Sequence, residues 1–315
     1  MAKISTDLSH AIELLQSGEL VAIPTETVYG LAANALDPKA VIKIFEAKNR
    51  PEFDPLIVHI GRLDDILKWS LDLHPVLFQI AKQFWPGPLT ILSKKNPLIP
   101  DLVTSGLETV GIRMPNHPLT LSLLQQLDFP LAAPSANPFG YISPTSPEHV
   151  NAQLGEKIEL ILDGGHSEVG VESTIIALED NVIRILRQGG ITVQDLTGFG
   201  IPVIANEIST SKPNAPGQLI SHYAPRKPMF CGNIPSFIAQ NQAKKYAVLA
   251  FSKTYHAPIE RILSANGDVS EAAQNLFRMM RELDQSEAEV IYCELVPQEG
   301  IGAAVNDRIK RASQH

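Results

Sequence analysis

The chain reads as an α/β protein, a large sheet-based N-terminal unit followed by a smaller one, and three observations predict this. From Val21 to Arg187, short apolar runs with strand character alternate with helical runs. From Asn206 to Arg226 all periodicity is lost, and Pro213, Pro216, Gly217 and Pro225 stand among Ser, Thr and Asn, the composition of an extended linker. Beyond it a second, shorter alternation of strand and helix begins. The expected division is 1–205, a linker at 206–226, and 227–315. A length of 315 residues accommodates two domains, and 44% hydrophobic with 19% charged residues is ordinary for a globular chain.

In order, the N-terminus leads into an amphipathic helix with charges at Asp7 and Glu13, unlike a secretory signal. The apolar runs, such as Tyr246 to Phe251, fall far short of the roughly 20 residues that cross a bilayer, so a cytoplasmic protein without membrane contact is expected. Strands are predicted at Leu20–Ile23, Leu56–Ile60, Leu89–Ser93, Val110–Met114, Pro130–Ala133, Glu159–Asp163, Ser173–Ala177 and Ile183–Arg187. The run from Asp37 to Lys48 is helical, its stripe Val41, Ile44 and Phe45 continuing to Lys48. A lysine in a core position implies a solvent-exposed helix end or an interior anion, because burying a lone ammonium costs several kcal/mol. Pro51 then stops the helix and leaves Arg50 beside it. After Gln188-Gly-Gly190 a short helical stretch leads to Ile201–Ile204. The last third reads as strand Tyr246–Phe251, helix Ser270–Asp284, strand Val290–Leu295 and helix Gly302–Ala312, a small Rossmann-like parallel sheet. It lacks G-x-G-x-x-G, so no dinucleotide is assigned to it.

The chemistry is narrowed by what is missing. No G-x-x-x-x-G-K-[ST], H-E-x-x-H or G-x-S-x-G occurs, and the two cysteines, Cys231 and Cys293, have neither disulfide-framework nor zinc spacing. A net charge of −8 argues against broad nucleic-acid binding, yet a few cations in one cleft suffice for a small anion. Four cations lie where plain solvation is awkward: Lys48, Arg50, Arg113 within Val-Gly-Ile-Arg-Met, and Arg187 at the end of Ile-Arg-Ile-Leu-Arg. Arg113 shares a strand face with Gly111, which leaves room for a ligand, and Arg187 shares one with Ile183 and Ile185. Ser135 and Asn137, on a turn between prolines, offer restrained polar groups that suit a phosphate or ribose. Taken singly, each of these is more often a salt-bridged arginine or an ordinary polar turn.

Their order along the chain adds weight. Pro24-Thr-Glu-Thr-Val-Tyr-Gly30, Lys48-x-Arg50, Pro55-Leu-Ile-Val-His-Ile60, Trp85-Pro-Gly-Pro-Leu-Thr90, Arg113-Met-Pro, Pro134-Ser-Ala-Asn137 and Glu172-Ser-Thr-Ile175 together resemble the Sua5/YrdC/YciO family over about the first 190 residues. His222-Tyr-Ala-Pro225, followed by about ninety more residues, resembles the longer two-domain Sua5 type. The resemblance implies a large twisted mixed sheet with a concave cleft, and an enzyme that forms threonylcarbamoyl-AMP and pyrophosphate from L-threonine, bicarbonate and Mg²⁺-ATP for tRNA t6A37 synthesis. A separate tRNA threonylcarbamoyl transferase would use the product, and direct tRNA binding would be weak.

By the same resemblance Lys48 and Arg50 are catalytic, and Thr27, His59, Arg113, Ala133 and Ser173 hold threonine. Arg50, Asp54, Thr109, Ser135, Asn137, Ser143, Arg187 and Tyr223 contact ATP, with Tyr223 on a linker folded over the cleft. No resident metal site is implied. Two positions depart from the family pattern: Asp54 stands where asparagine is common, and Arg187-Gln-Gly replaces Arg-Pro-Gly. Two rival readings are an RNA-binding or regulatory module using a concave basic face, and a hydrogenase-maturation carbamoyl transferase. The latter carries zinc-binding cysteine pairs and an acylphosphatase-like segment, and this chain has neither.

Overall fold

A computed structural model describes residues 1–205, 215–217, 222–240 and 245–314. The N-terminal strands are β1 (Lys3–Ser5), β2 (Val21–Ile23), β3 (Gly30–Asn34), β4 (Ile57–His59), β5 (Ser70–Leu71), β6 (Leu89–Lys95), β7 (Thr109–Arg113), β8 (Leu131–Ala132), β9 (Leu160–Leu162), β10 (Thr174–Glu179), β11 (Val182–Arg187) and β12 (Val203–Ala205). They form one 12-stranded mixed sheet in the order β1-β9-β2-β3-β8-β4-β7-β6-β10-β11-β12, with β5 against β6. A second sheet of β13 (Met229–Cys231), β14 (Tyr246–Ala250), β15 (Ile259–Ile262) and β16 (Val290–Cys293) is parallel throughout, in the order β13-β16-β14-β15. Among the described residues no helix is long and apolar enough to cross a membrane.

Every strand predicted from the sequence is present with shifted ends, and the helix Gly302–Ala312 matches its predicted limits. The strands that periodicity missed explain themselves. β3 is Gly-Leu-Ala-Ala-Asn, poor in β-branched residues and buried along its first four positions, so it shows no alternation. β15, Ile-Glu-Arg-Ile, carries two charges, and β1 and β13 span three residues each.

One face of the large sheet carries the main core, which includes Tyr29, Ile44, Val58, Trp69, Ile80 and Ile112. The other packs Leu15, Leu123 and Leu160 under the helices Leu8–Gln16 and Pro118–Gln126. Each fully buried leucine or isoleucine contributes about 1.5–3 kcal/mol. The helix Pro38–Lys48 begins on Asp37, whose side chain accepts from the Lys39 amide, with Pro38 in the first turn. It ends at Asn49, left-handed at φ 50°, before Pro51 is reached. That turn sets the direction in which Arg50 leaves.

The two sheets meet through a shared apolar cluster in which Val28, Ile142, Val171 and Tyr223 pack with Phe277, Met280 and Val305. Polar contacts cross the same boundary: Tyr141 Oη donates to Asp284 Oδ2 at 2.6 Å, and Arg281 Nη2 donates to the Ile142 carbonyl at 2.9 Å. Gly170, at φ 79°, lies so close to the backbone of Ala273 and Gln274 that a β-carbon there would overlap it. The helix Val269–Gln285 can approach the N-terminal domain this closely only over a glycine.

Candidate active site

The site forms where several strands of the large sheet end. His59 and Arg113 are register partners at the C-terminal ends of the parallel pair β4 and β7, the end at which α/β sheets place ligands. The loop after β2 supplies Thr25 and Val28, the loop after β8 supplies Ala133 to Ser135, and Arg187 closes β11. Together with Gly30, Arg50, Ile57, Glu172, Pro216, Gly217, His222 and Tyr223 they line a narrow cavity of about 50 Å³.

On one side stands the Lys48–Arg50 pair. Lys48, 1% exposed, is neither solvated nor matched with an anion. Its ammonium donates to the Ser135 carbonyl at 2.5 Å and to the Asn137 carbonyl, tying the helix end to the Pro-Ser-Ala-Asn turn. Burial, and then Arg50, push its pKa well below the ordinary lysine range, against the pull of Asp54. Arg50 donates through Nε to the Asp54 carbonyl at 3.1 Å and through Nη2 to the Pro55 carbonyl at 2.9 Å. The same Nη2 lies 2.9 Å from Asp54 Oδ2, an ion pair without hydrogen-bond alignment. Burial raises the Asp54 pKa, while Arg50, Lys48 and Arg187 pull it down.

The other side is built on Arg113. Its Nη2 lies 2.8 Å from Glu26 Oε2, yet neither atom has an aligned hydrogen bond, and both carboxylate oxygens of Glu26 lack one. His59, register partner of Arg113, is held neutral: burial first, then the Arg113 charge, lower its pKa to about 3. Arg187 is locked in place, with Nε on the Ser173 carbonyl and Nη2 on Ser173 Oγ, both at 3.0 Å, and Nη1 on the Pro216 carbonyl at 3.3 Å. Ser173 Oγ also meets Thr90 Oγ1 at 2.8 Å, and Thr27 Oγ1 meets Thr25 Oγ1 at 2.8 Å.

Of the expected linker, 206–214 and 218–221 lie outside the described residues, and Pro216, Gly217, His222 and Tyr223 line the cavity. Tyr223 is 1% exposed and adopts φ 64°, a left-handed conformation rare for a bulky side chain and typical of constrained functional segments. Its ring packs edge-on to His222 at 4.1 Å and tilted to Phe277 at 5.7 Å. Burial raises its phenol pKa to about 12. Gly217, at φ 82°, passes so close to the Tyr223 hydroxyl and the Arg187 side chain that a β-carbon would collide with the hydroxyl.

Of the residues singled out in the sequence, Arg50, His59, Arg113, Ala133, Ser135, Arg187 and Tyr223 line the cavity. Thr27, Ser143 and Ser173 sit directly behind it, hydrogen-bonded to Thr25, Glu172 and Arg187, which do line it. Asp54 lies behind Arg50. Three further expected site residues stand outside the cavity lining, and one expected opening is filled. The Lys48 ammonium is turned to two carbonyls and not to the cleft. Asn137 Nδ2 donates to the Pro138 and Tyr141 carbonyls, which makes it a loop brace. Thr109 starts β7, about 13 Å of strand from Arg113 at its end, outside the cavity. The space over Gly111 is taken by the Thr90 methyl, 3.1 Å from where a β-carbon would stand, and is not open to a ligand.

Sequence reasoning assigned no role to Thr25, Glu26 or Glu172, although all three lie inside quoted motifs. Acidic residues in an anion site contradict simple charge matching, and their arginine partners are distant in sequence.

Comparison with known proteins places this architecture. A family profile described as "Telomere recombination" (Sua5_yciO_yrdC) matches residues 13–189, and one described as "Threonylcarbamoyl-AMP synthase, C-terminal domain" (Sua5_C) matches residues 187–314. The threonylcarbamoyl-AMP synthase of Pyrococcus abyssi is 39% identical over 96% of this chain and 93% of its own. That of Bacillus subtilis is 38% identical over 97% and 92%. The crystal structure of P. abyssi Sua5 complexed with L-threonine superposes with a TM-score of 0.90 at 39% identity, over 97% of this chain and 94% of that one. One profile spans more than half of the sequence and the relatives nearly all of it; the chain therefore belongs to the Sua5/YrdC/YciO family, in its two-domain Sua5 form.

Proposed function

We propose that the protein is a threonylcarbamoyl-AMP synthase, joining L-threonine, bicarbonate and ATP with release of pyrophosphate, and that its product serves tRNA t6A37 synthesis through a separate transferase. One observation carries the reading. Three guanidinium groups, Arg50, Arg113 and Arg187, converge on one covered cavity in a chain similar along nearly its whole length to synthases, one of which has been crystallised with L-threonine.

In this reading the threonine amine adds to the bicarbonate carbon and water leaves, giving an N-carboxylate. One of its oxygens then attacks the α-phosphorus, and the bond to pyrophosphate breaks. No side-chain nucleophile is required; the protein positions the reactants and offsets charge. Arg50 and Arg187, already oriented by carbonyl acceptors, face the triphosphate, and Ser135 lies beside them on the turn that Lys48 holds. Arg113 takes the threonine carboxylate, with neutral His59, Thr27, Ser173 and the backbone at Ala133 around it. Mg²⁺ comes with ATP on its phosphates, as this ion usually does. Among the described residues no group of three or more His, Cys, Asp or Glu gathers to hold it. Tyr223 and His222 keep water out of the closed site.

The test is pyrophosphate release from Mg²⁺-ATP, with labelled bicarbonate followed into a nucleotide-linked product. Release that requires both L-threonine and bicarbonate is the expected result. A folded, ATP-binding protein that releases none would turn attention to the RNA-binding module.

A further inference from the structure

The helix Gly302–Ala312 belongs to the second domain, yet its Arg308 reaches the wall of the cleft. It is 0% exposed and ranks first by volume among the fully buried side chains of the described residues. Nε donates to Glu172 Oε2 at 2.8 Å, Nη2 to the Gln188 carbonyl at 2.9 Å and Nη1 to Asp307 Oδ2 at 2.7 Å. The guanidinium also stands over the Tyr223 ring, 5.1 Å from its centre. Burial works against this charge, but Tyr223, Glu172 and Asp307 outweigh it and hold the group above the ordinary arginine range.

Glu172 makes this contact consequential. It is 6% exposed, lines the cavity, and accepts at Oε1 a hydrogen bond of 2.5 Å from Ser143 Oγ. While Ser143 gives its proton to Glu172, it has none to offer a phosphate oxygen. For Ser143 to turn toward a nucleotide, Glu172 must remain satisfied without it. Arg308 is the partner that does this, since it grips the other carboxylate oxygen and neutralises a buried anion that would otherwise face a triphosphate.

We propose that Arg308 is a positioning residue for nucleotide binding: it neutralises Glu172 and seats Tyr223, so that the second domain completes the ATP side of the cleft in the first. The inference rests on the reading of the cleft as an ATP site and assigns a task within it to the second domain. Glu172 without Arg308 becomes an uncompensated carboxylate opposite the phosphates. The defect should then lie in ATP affinity and should be relieved by removing the Glu172 charge.

The experiment measures Mg²⁺-ATP binding by calorimetry in the full chain, alongside threonine- and bicarbonate-dependent pyrophosphate release, for wild type, Arg308→Gln and Arg308→Gln/Glu172→Gln. Arg308→Gln is expected to weaken Mg²⁺-ATP about tenfold or more while the KM for threonine shifts less, and the double variant to regain most of the loss. A contact that merely glues the domains would lower Tm in both variants without that rescue, which would overturn the proposal. Unchanged ATP affinity in folded Arg308→Gln would overturn it as well. Should that variant fail to fold, Arg308→Lys carries the test, because it keeps the charge but loses the fork to Glu172 and Gln188; normal ATP affinity in it refutes the positioning role. Wild type that binds Mg²⁺-ATP without turnover removes the synthase reading and leaves this one standing on the binding data. Wild type that binds no Mg²⁺-ATP removes both.

Discussion

Arg50 and Arg187 are locked by their neighbours, whereas Arg113 is attracted to its neighbour without being aligned on it. Two carbonyls hold the Arg50 guanidinium, and the Ser173 and Pro216 carbonyls with Ser173 Oγ hold that of Arg187. The neutral acceptors fix direction without cancelling charge, although Asp54, 2.9 Å from Arg50, offsets part of the charge there; fixed direction suits groups that, in the proposed reaction, must meet charge developing at phosphorus without moving. Arg113 instead has Glu26 at 2.8 Å with no aligned hydrogen bond, an arrangement that a second carboxylate can replace. On the proposed function, one side of the cleft is set in advance, and the other would exchange partners when threonine enters.

The largest expected effect comes from the locked side. Arg50→Ala should reduce pyrophosphate release about a thousandfold or more, since a preoriented charge at the reacting phosphorus is lost. It also leaves Asp54, 0% exposed, without its partner, at a cost of about 3–5 kcal/mol in stability. The structure thus predicts a loss of stability beside the loss of turnover. Arg50→Ala/Asp54→Asn should therefore recover Tm without recovering turnover. Normal turnover in either variant would remove Arg50 from the mechanism.

Arg113→Gln should act on one substrate only. Loss of a charge-assisted partner for a carboxylate in a buried site is expected to raise the KM for threonine about a hundredfold, with Mg²⁺-ATP affinity within about threefold of wild type. Equal losses for both substrates would erase the contrast between the two sides.

Much of this contrast was legible in the sequence, and the illegible part has a physical cause. Arg50 stands out because Pro51 stops the helix beside Lys48, and Arg113 and Arg187 because each interrupts an apolar strand pattern, which its period exposes directly. Lys48 was flagged by the same rule, but its partners, the Ser135 and Asn137 carbonyls, carry no side-chain signal and lie almost ninety residues away. The Arg308–Glu172 contact spans 136 residues and two domains, so no local period could reveal it. β3, although central to the sheet, was lost for a related reason: buried on both faces and rich in alanine, it does not alternate.

Acid should expose how the neutral groups are maintained. The folded pKa of His59 is about 3 against an ordinary 6.5, with burial as the main cause and Arg113 as the second; His149 falls to about 4, mainly through burial. A folded pKa below the unfolded one means that the unfolded chain takes up the proton first. The stability these groups contribute is therefore complete above pH 6.5 and is lost as pH falls toward 4 and then 3. Buried His59 should remove up to about 1.4 kcal/mol per pH unit across that window, and the partly exposed His149 less. Denaturant titrations at a series of pH values should show the decline, and His59→Gln should flatten it. A stability curve that stays level down to pH 4.5 would mean that His59 and His149 are protonated in the folded state at little cost.

The smallest expected effect bears most directly on the exchanging side. If Glu26 occupies Arg113 only until a substrate carboxylate arrives, Glu26→Gln removes a competitor, and threonine should bind about threefold or more tightly in the presence of Mg²⁺-ATP. Only the side chain has to move, because the Val169 amide donates to the Glu26 carbonyl at 2.7 Å and pins the backbone of the loop that also carries Thr25 and Thr27. A titration of threonine by calorimetry decides the sign. Weaker binding in Glu26→Gln would show that the carboxylate braces Arg113 in its working position, and the two sides of the cleft would then differ in the charge of their braces and not in whether those braces yield.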